Sequence, residues 1–240
     1  MSAYSEAVAE VGGLSSPSKT PCKSWSTPAY RCIVGSLLAK QPGTICSKCY
    51  ARKGMYMFPN VVAAMERRFK RLQAALNSPG SESRFAEAFA TIMHERWGRT
   101  VVQLHRKGRM GRDDGRYFRW HDSGDLHGLQ HLKMLNRIAI ESPHTKFWLP
   151  TKEVGVVETY LKTFRLAGNL MVRLSLPRIG MELPERYRKL DSLSRSIAMA
   201  GAHTVKPEAG FEQCNAVYTD HECQTCRACW THKPVSYTVI

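Results

Sequence analysis

Cys214, Cys223, Cys226 and Cys229 stand in a C-x8-C-x2-C-x2-C run near the end of the chain. Three cysteines at two-residue spacing, with a fourth close upstream, let several thiolates converge on one iron–sulfur cluster within a single loop. Structural zinc is the alternative. Zinc sites usually pair two separate C-x2-C knuckles across a longer loop. Here the pairs overlap, which favours a cluster. Trp230 follows Cys229 and is placed to shield it from solvent. His221 and His232 are spare ligands by position, and solvated surface histidines by the simpler reading.

Four more cysteines, Cys22, Cys32, Cys46 and Cys49, lie near the start with spacing C-x9-C-x13-C-x2-C. Only Cys46 and Cys49 form a tight pair. Four plus four would use every cysteine in two tetrathiolate sites, so one or two [4Fe–4S] clusters are expected. Zinc, or ligands shared across the two segments, is the competing reading. The C-x3-C-x2-C spacing of radical S-adenosylmethionine enzymes is absent. Four thiolates per cluster would also close the iron that such enzymes leave open, so S-adenosylmethionine is not expected.

A third group is RWHDSGD, residues 119–125. It falls where a strand gives way to a helix, and ligand sites gather at such strand ends in parallel α/β folds. His121, Asp122 and Asp125 are therefore candidate catalytic residues. A helix cap and its turn would explain Ser123 and Asp125, but not His121 and Asp122. His127 and His131 share the i,i+4 spacing of a metal-binding helix face, though no carboxylate motif accompanies them. LPTKE (149–153) puts Thr151 and Lys152 at a second strand end, and Lys152 is a candidate for holding phosphate or neutralising a carboxylate. LSLPR (174–178) offers Ser175 and Arg178 at a third.

Two segments are dense in cations. RKGRMGR (106–112) reads as a glycine-containing loop, and Arg106, Lys107, Arg109 and Arg112 are its candidate nucleic-acid contacts. RRFKR (67–71) reads as the solvated face of a helix. There is no phosphate-cradling P-loop, no dinucleotide fingerprint and no HExxH.

These groups need elements to position them. Residues 1–20 read as a flexible, polar arm. Residues 21–60 are rich in Cys, Pro, Gly and Ser and read as irregular. Met65, Phe69, Leu72 and Leu76 mark one helix, and Phe85, Phe89 and Ile92 a second that ends near Trp97. VVQLH (101–105) reads as a strand. Then strands and helices alternate: 117–121, a helix over 126–141 capped by Asp125, 146–150, a helix over 153–166, 171–177, a helix over 183–194, and one or two strands over 196–205. That order predicts parallel strands with crossover helices. The expected fold is α/β, a single-domain (β/α) barrel-like fold over 21–240, closed or incomplete. A doubly wound open sheet is the second choice. The cysteine segments 21–60 and 206–240 are irregular.

The bulk numbers fit that outline. The 240 residues suffice for a real core. No apolar run is long enough to span a bilayer, and the N-terminus lacks the pattern of a secretory signal. Reduced cysteines and no export signal point to the cytoplasm. The formal net charge of +15 predicts attraction to polyanions, DNA or RNA first.

The blocks PCKSWSTPAYRC, CSKCYARKGMYMFPNV, RYFRWHDSGDL, FWLPTK and CRACW resemble the bacteriophage gene product 88 family, in order, from about residue 21 onward. The resemblance implies that the cytoplasm is that of an infected bacterial host. It maps the family's cysteine blocks onto all eight cysteines and its strand-end block onto Asp122, Ser123, Gly124 and Asp125. Related phage proteins with a CxxCYA block are similar to radical-SAM-like barrels, which implies the barrel choice. The resemblance carries over no catalytic residue. The expected function is an iron–sulfur protein with a redox or sensing role at nucleic acid. A radical-SAM-like enzyme and a host-protein-binding module stapled by clusters or zinc are the alternatives.

Overall fold

The computed structural model describes residues 2–107 and 113–239. Seven strands form one sheet: β1 (Ser24–Trp25), β2 (Tyr117–Trp120), β3 (Lys146–Thr151), β4 (Leu170–Ser175), β5 (Ile197–His203), β6 (Glu212–Gln213) and β7 (Val235–Thr238). Their order is β1-β2-β3-β4-β5-β7-β6, and every neighbouring pair is parallel. The first five strands sit in chain order, as in a barrel, but β1 and β6 remain edges. The fold is a single α/β domain with an open, barrel-like sheet.

The helices are α1 (Ala3–Glu10), α2 (Ile33–Leu38), α3 (Pro59–Asn77), α4 (Ser81–Lys107), α5 (Leu129–Glu141), α6 (Val154–Leu161) and α7 (Glu185–Leu193). Successive strand residues point to opposite faces. On one face Phe118, Trp120, Phe147, Leu149, Val172, Leu174, Ile197 and Met199 join the main core with Phe85 and Phe89 of α4. The register sets Phe118 beside Phe147 and Val172 beside Ile197. The opposite face carries Arg119, Trp148 and Arg173. Trp148 packs there in a second cluster with Cys22, Cys229 and Trp230.

Four expectations need correction. Residues 1–20 are not a free arm: α1 packs on α4, Val11 is fully buried, and the Trp25 indole N–H donates to the Val11 carbonyl at 2.9 Å. VVQLH is not a strand. The buried positions Phe89, Ile92, Met93, Arg96 and Thr100 keep helical spacing, so α4 runs on through it and packing overrides the β-branched preference. Asp125 does not cap α5; Gly128 stands at that position with φ 105°. RRFKR is not wholly solvated. Arg68 is buried and donates to the carbonyls of Gly13 and Leu14 and to Ser26 Oγ.

The expected basic loop shifts too. Arg106 and Lys107 belong to the last turn of α4, and Arg109 and Arg112 lie outside the described residues. No helix among the described residues is long and apolar enough to cross a membrane.

Candidate functional site

The eight cysteines divide three and five. Cys32 is the residue before α2, and Cys46 and Cys49 bound one 3-10 turn. A methyl group on Gly35 would lie 3.0 Å from Cys32 Cβ, 3.6 Å from Cys32 Sγ and 3.7 Å from Cys46 Sγ. Glycine there relieves crowding at Cys32 Cβ, and the two sulfurs flank the same point at ordinary contact distance. Two of its backbone N–H groups moor this segment beside the ends of the strands: Ile45 N–H donates to Pro177 O at 3.0 Å, and Val34 N–H to the Glu153 side chain at Oε1, 2.8 Å. Cys32, Cys46 and Cys49 thus stand on the rim predicted for ligands, within electrostatic reach of Lys152, Arg52 and Asp125.

Cys22 does not join them. It is 2 % exposed and packs with Cys229 and Trp230 under Trp148, on the far face of the sheet. Its neighbours in charge are Cys223, Arg96, Arg119 and Arg227. The C-terminal loop reaches it because Cys223 N–H donates to Lys19 O at 2.9 Å and Cys214 N–H to Ser236 O at 2.8 Å. Trp230 shields the group as expected: it is buried, donates to Phe118 O, and meets the rings of Trp148 and Tyr117 edge-on. Asp220, His221 and Gln224 have positive φ, so the loop is tightly coiled. Such backbone is strained in non-glycine residues and concentrates at ligand sites. His232 lies on the surface, 3.4 Å from Asp191.

All eight cysteines are unpaired thiols. Burial pushes Cys22 and Cys223 up to about 12, and Cys32, Cys46, Cys214 and Cys229 upward as well. Such thiols are poor nucleophiles at neutral pH. A coordinated metal deprotonates a thiol outright, so ligation suits this donor set better than thiolate catalysis.

The cations fit an anionic occupant. Arg173 is fully buried in β4, donates to the carbonyls of Met199, Lys233, Ala228 and Thr231, and makes no ion pair among the described residues. Its charge falls on Cys229. Arg119 lies over the Trp148 ring at 4.5 Å, donates to Tyr50 Oη at 3.1 Å, and bears on Cys22, Cys223 and Cys229. No three His, Cys, Asp or Glu side chains among the described residues are drawn together as ligands of a single ion.

The strand-end acids are wired internally. Asp122 accepts from Ser24 Oγ at 2.6 Å and from Tyr56 Oη at 3.1 Å. Asp125 accepts from Thr151 Oγ1 at 2.6 Å, Lys152 N–H at 2.9 Å and Leu126 N–H at 2.7 Å. Burial still raises its carboxyl. Lys152 donates its ammonium to Leu176 O at 3.2 Å, and burial lowers it. Ser175 lines the cleft beside Lys152, Val34 and Leu38. Arg178 is exposed and contributes through its backbone bridge to Thr44.

His121 packs among rings, near Trp25 and Trp120, with φ 60° and its ring 5.3 Å from that of His131. The His127 ring stacks 6.0 Å from His131. Both nitrogens of His121 and the Nε2 atoms of His127 and His131 are buried without a hydrogen-bond partner among the described residues. His127 N–H donates to His131 Nδ1 at 3.2 Å. Neutral His131 therefore carries its proton on Nε2 and has no lone pair there for a metal. Burial lowers all three, His121 to about 3.

Arg173, Arg119 and Tyr50 escaped the sequence reading. Arg173 had a visible signal, a lone charge inside the apolar run MVRLSLP, since an arginine is almost never fully buried without a partner.

No curated protein and no solved structure matches the chain. A family model described as Gene product 88 matches residues 13–232. This covers both cysteine groups, the strand-end acids and Arg173, and the chain belongs to the phage gene product 88 family.

Proposed function

We propose that this chain is an iron–sulfur protein with two cluster-binding groups and an anion-seeking surface. The observation that carries the reading is Arg173: a fully buried guanidinium beside Cys229, bonded to carbonyls and ion-paired to no carboxylate among the described residues. A buried charge without a counter-charge is costly. The thiolates of Cys22, Cys214, Cys223, Cys226 and Cys229 would supply one. These five exceed the four positions of a cubane. On the rim, Cys32, Cys46 and Cys49 would hold the other. Bound clusters would supply one-electron transfer. The residues of the chain shield, orient and charge-balance them: Trp230 and Trp148 exclude water, Arg173 and Arg119 offset the thiolates, and Lys152 does so at the rim. The net charge of +15 supports a role at nucleic acid.

A second reading has a specific observation behind it. The rim group has three cysteines, not four, because Cys22 lies with the C-terminal loop. Three thiolates leave one iron of a four-iron cube free for a small ligand. Four thiolates per cluster would exclude S-adenosylmethionine; three do not. A radical-SAM-like enzyme, whose cluster Cys32, Cys46 and Cys49 would hold within electrostatic reach of Asp125 and Lys152, is therefore the favoured alternative to a pure sensor.

Anaerobically purified protein is expected to be brown, with an EPR signal on reduction. Added S-adenosylmethionine shifts that signal if the open corner exists and leaves it unmoved if the protein is only a redox or sensing module. A colourless, zinc-loaded protein sinks both readings.

A further inference from the structure

We propose that the turns surrounding the rim cysteines form a binding face for single-stranded nucleic acid. This rests on the nucleic-acid half of the reading above and moves its interface away from the RKGRMGR segment. The first observation is exposed aromatic and thioether surface. Tyr30 is 46 % exposed, Tyr50 and Phe58 55 % each, Met57 53 % and Met55 67 %. Four of the five fall within residues 50–58, and the turns there pack together and against the turn of Tyr30. Tyr50 meets Tyr56 ring to ring at 5.5 Å, and Arg52 donates to Ser36 Oγ at 2.8 Å. Clustered exposed apolar surface marks a site of interaction.

Charge selects the partner. Residues 11–65 contain no Asp or Glu and seven Lys or Arg. Lys40, Lys48 and Lys53 are exposed and make no ion pair among the described residues. The first carboxylate after this stretch, Glu66, is occupied by Tyr30 Oη and Arg31. With Arg67, Lys70 and Arg71 it lines a shallow, open groove of about 560 Å³ on α3, three cations to one acid. Rings interleaved with unpaired cations are what a single strand requires: bases stack on the rings while phosphates meet the lysines. Duplex DNA would leave the rings unused, its bases being already stacked. The face borders Cys49 through Tyr50, so a bound strand would lie beside the rim group.

The test is fluorescence-anisotropy titration of single-stranded and duplex oligonucleotides with the full-length protein, at several salt concentrations, with iron measured on the same samples. Wild type should prefer the single strand. Phe58→Ala should weaken binding about tenfold. Lys48→Glu with Lys53→Glu should weaken it further and lower the salt slope by about two. Unchanged circular dichroism serves as the folding control, and Lys162→Glu with Lys189→Glu as the charge control. No binding at low salt overturns both this proposal and the nucleic-acid reading. Binding that ignores these substitutions but is lost on Arg109→Glu with Arg112→Glu overturns the face alone. So does a preference for duplex, or for anionic vesicles over the oligonucleotide. Iron content that stays constant while binding falls shows that the substitutions act on the face and not through loss of a cluster; a fall in binding that only tracks loss of iron overturns the face.

Discussion

The backbone N–H of Cys223 donates to the carbonyl oxygen of Lys19 at 2.9 Å. That bond brings the C-terminal cysteine loop to the segment carrying Cys22, near the other end of the chain. It is why the cysteines group by space and not by sequence segment.

Cys22→Ser should consequently behave as a C-terminal substitution. Its EPR spectrum should change only in the component that Cys229→Ser changes and keep the component lost in Cys32→Ser. Loss of the Cys32 component in Cys22→Ser would restore a four-cysteine N-terminal site and remove the open corner.

Arg173→Met removes four charged hydrogen bonds, three to the carbonyls of Ala228, Thr231 and Lys233 around Cys229 and one to Met199 O of β5. The expected cost is about 3–5 kcal/mol, read by chemical denaturation. Iron should fall with it. Arg173→Lys keeps the charge but not the planar fork, so it should retain more iron than Arg173→Met while still losing stability. Equal iron in both variants would mean that the guanidinium serves the loop's shape alone.

Acid should destabilise the protein through the histidine cluster. Burial lowers His121 from the usual 6.5 to about 3 and lowers His127 and His131 too. Their neutral forms are favoured in the fold, so this stability is complete above pH 6.5 and is lost as pH falls towards the folded values. Each histidine contributes up to about 1.4 kcal/mol per pH unit within its window. Asp125, raised by burial, acts in the opposite sense just above the ordinary carboxylate value. Melting curves of His121→Asn should show a flatter decline below pH 6.5 than wild type. An identical slope would contradict the assignment.

Gly124→Ala tests the strand-end turn. Gly124 has φ 94°, and a methyl group there would stand 2.0 Å from Thr27 Oγ1 and 2.9 Å from Thr27 O. Backbone strain and collision together should cost at least about 2 kcal/mol. A melting temperature equal to wild type would show that the loop holding His121 to Asp125 can shift freely.

Much of the framework was legible because apolar spacing reports it. Phe118, Trp120, Phe147, Val172 and Ile197 sit in runs that alternate or lie between turn residues, and Met65, Phe69 and Leu72 have helical spacing. Position at strand ends correctly put Lys152 and Asp125 on one rim. The partition of the cysteines was not legible. Spacing reports which thiols share a loop, while Cys22 is turned to the far face by the pairing of two-residue β1 with β2, Trp25 opposite Trp120. A strand that short leaves no periodic trace. Asp125 matched a cap by type, yet Thr151 and the Lys152 N–H compete for its oxygens, and such competition has no local signature.

The most direct test of two cluster-binding groups is the count of iron and acid-labile sulfide per chain after anaerobic reconstitution. Two groups predict about eight of each in wild type and about four in the rim variant Cys32→Ser/Cys46→Ser/Cys49→Ser. Zinc in place of iron, or a wild type that holds no iron while remaining folded, would contradict them.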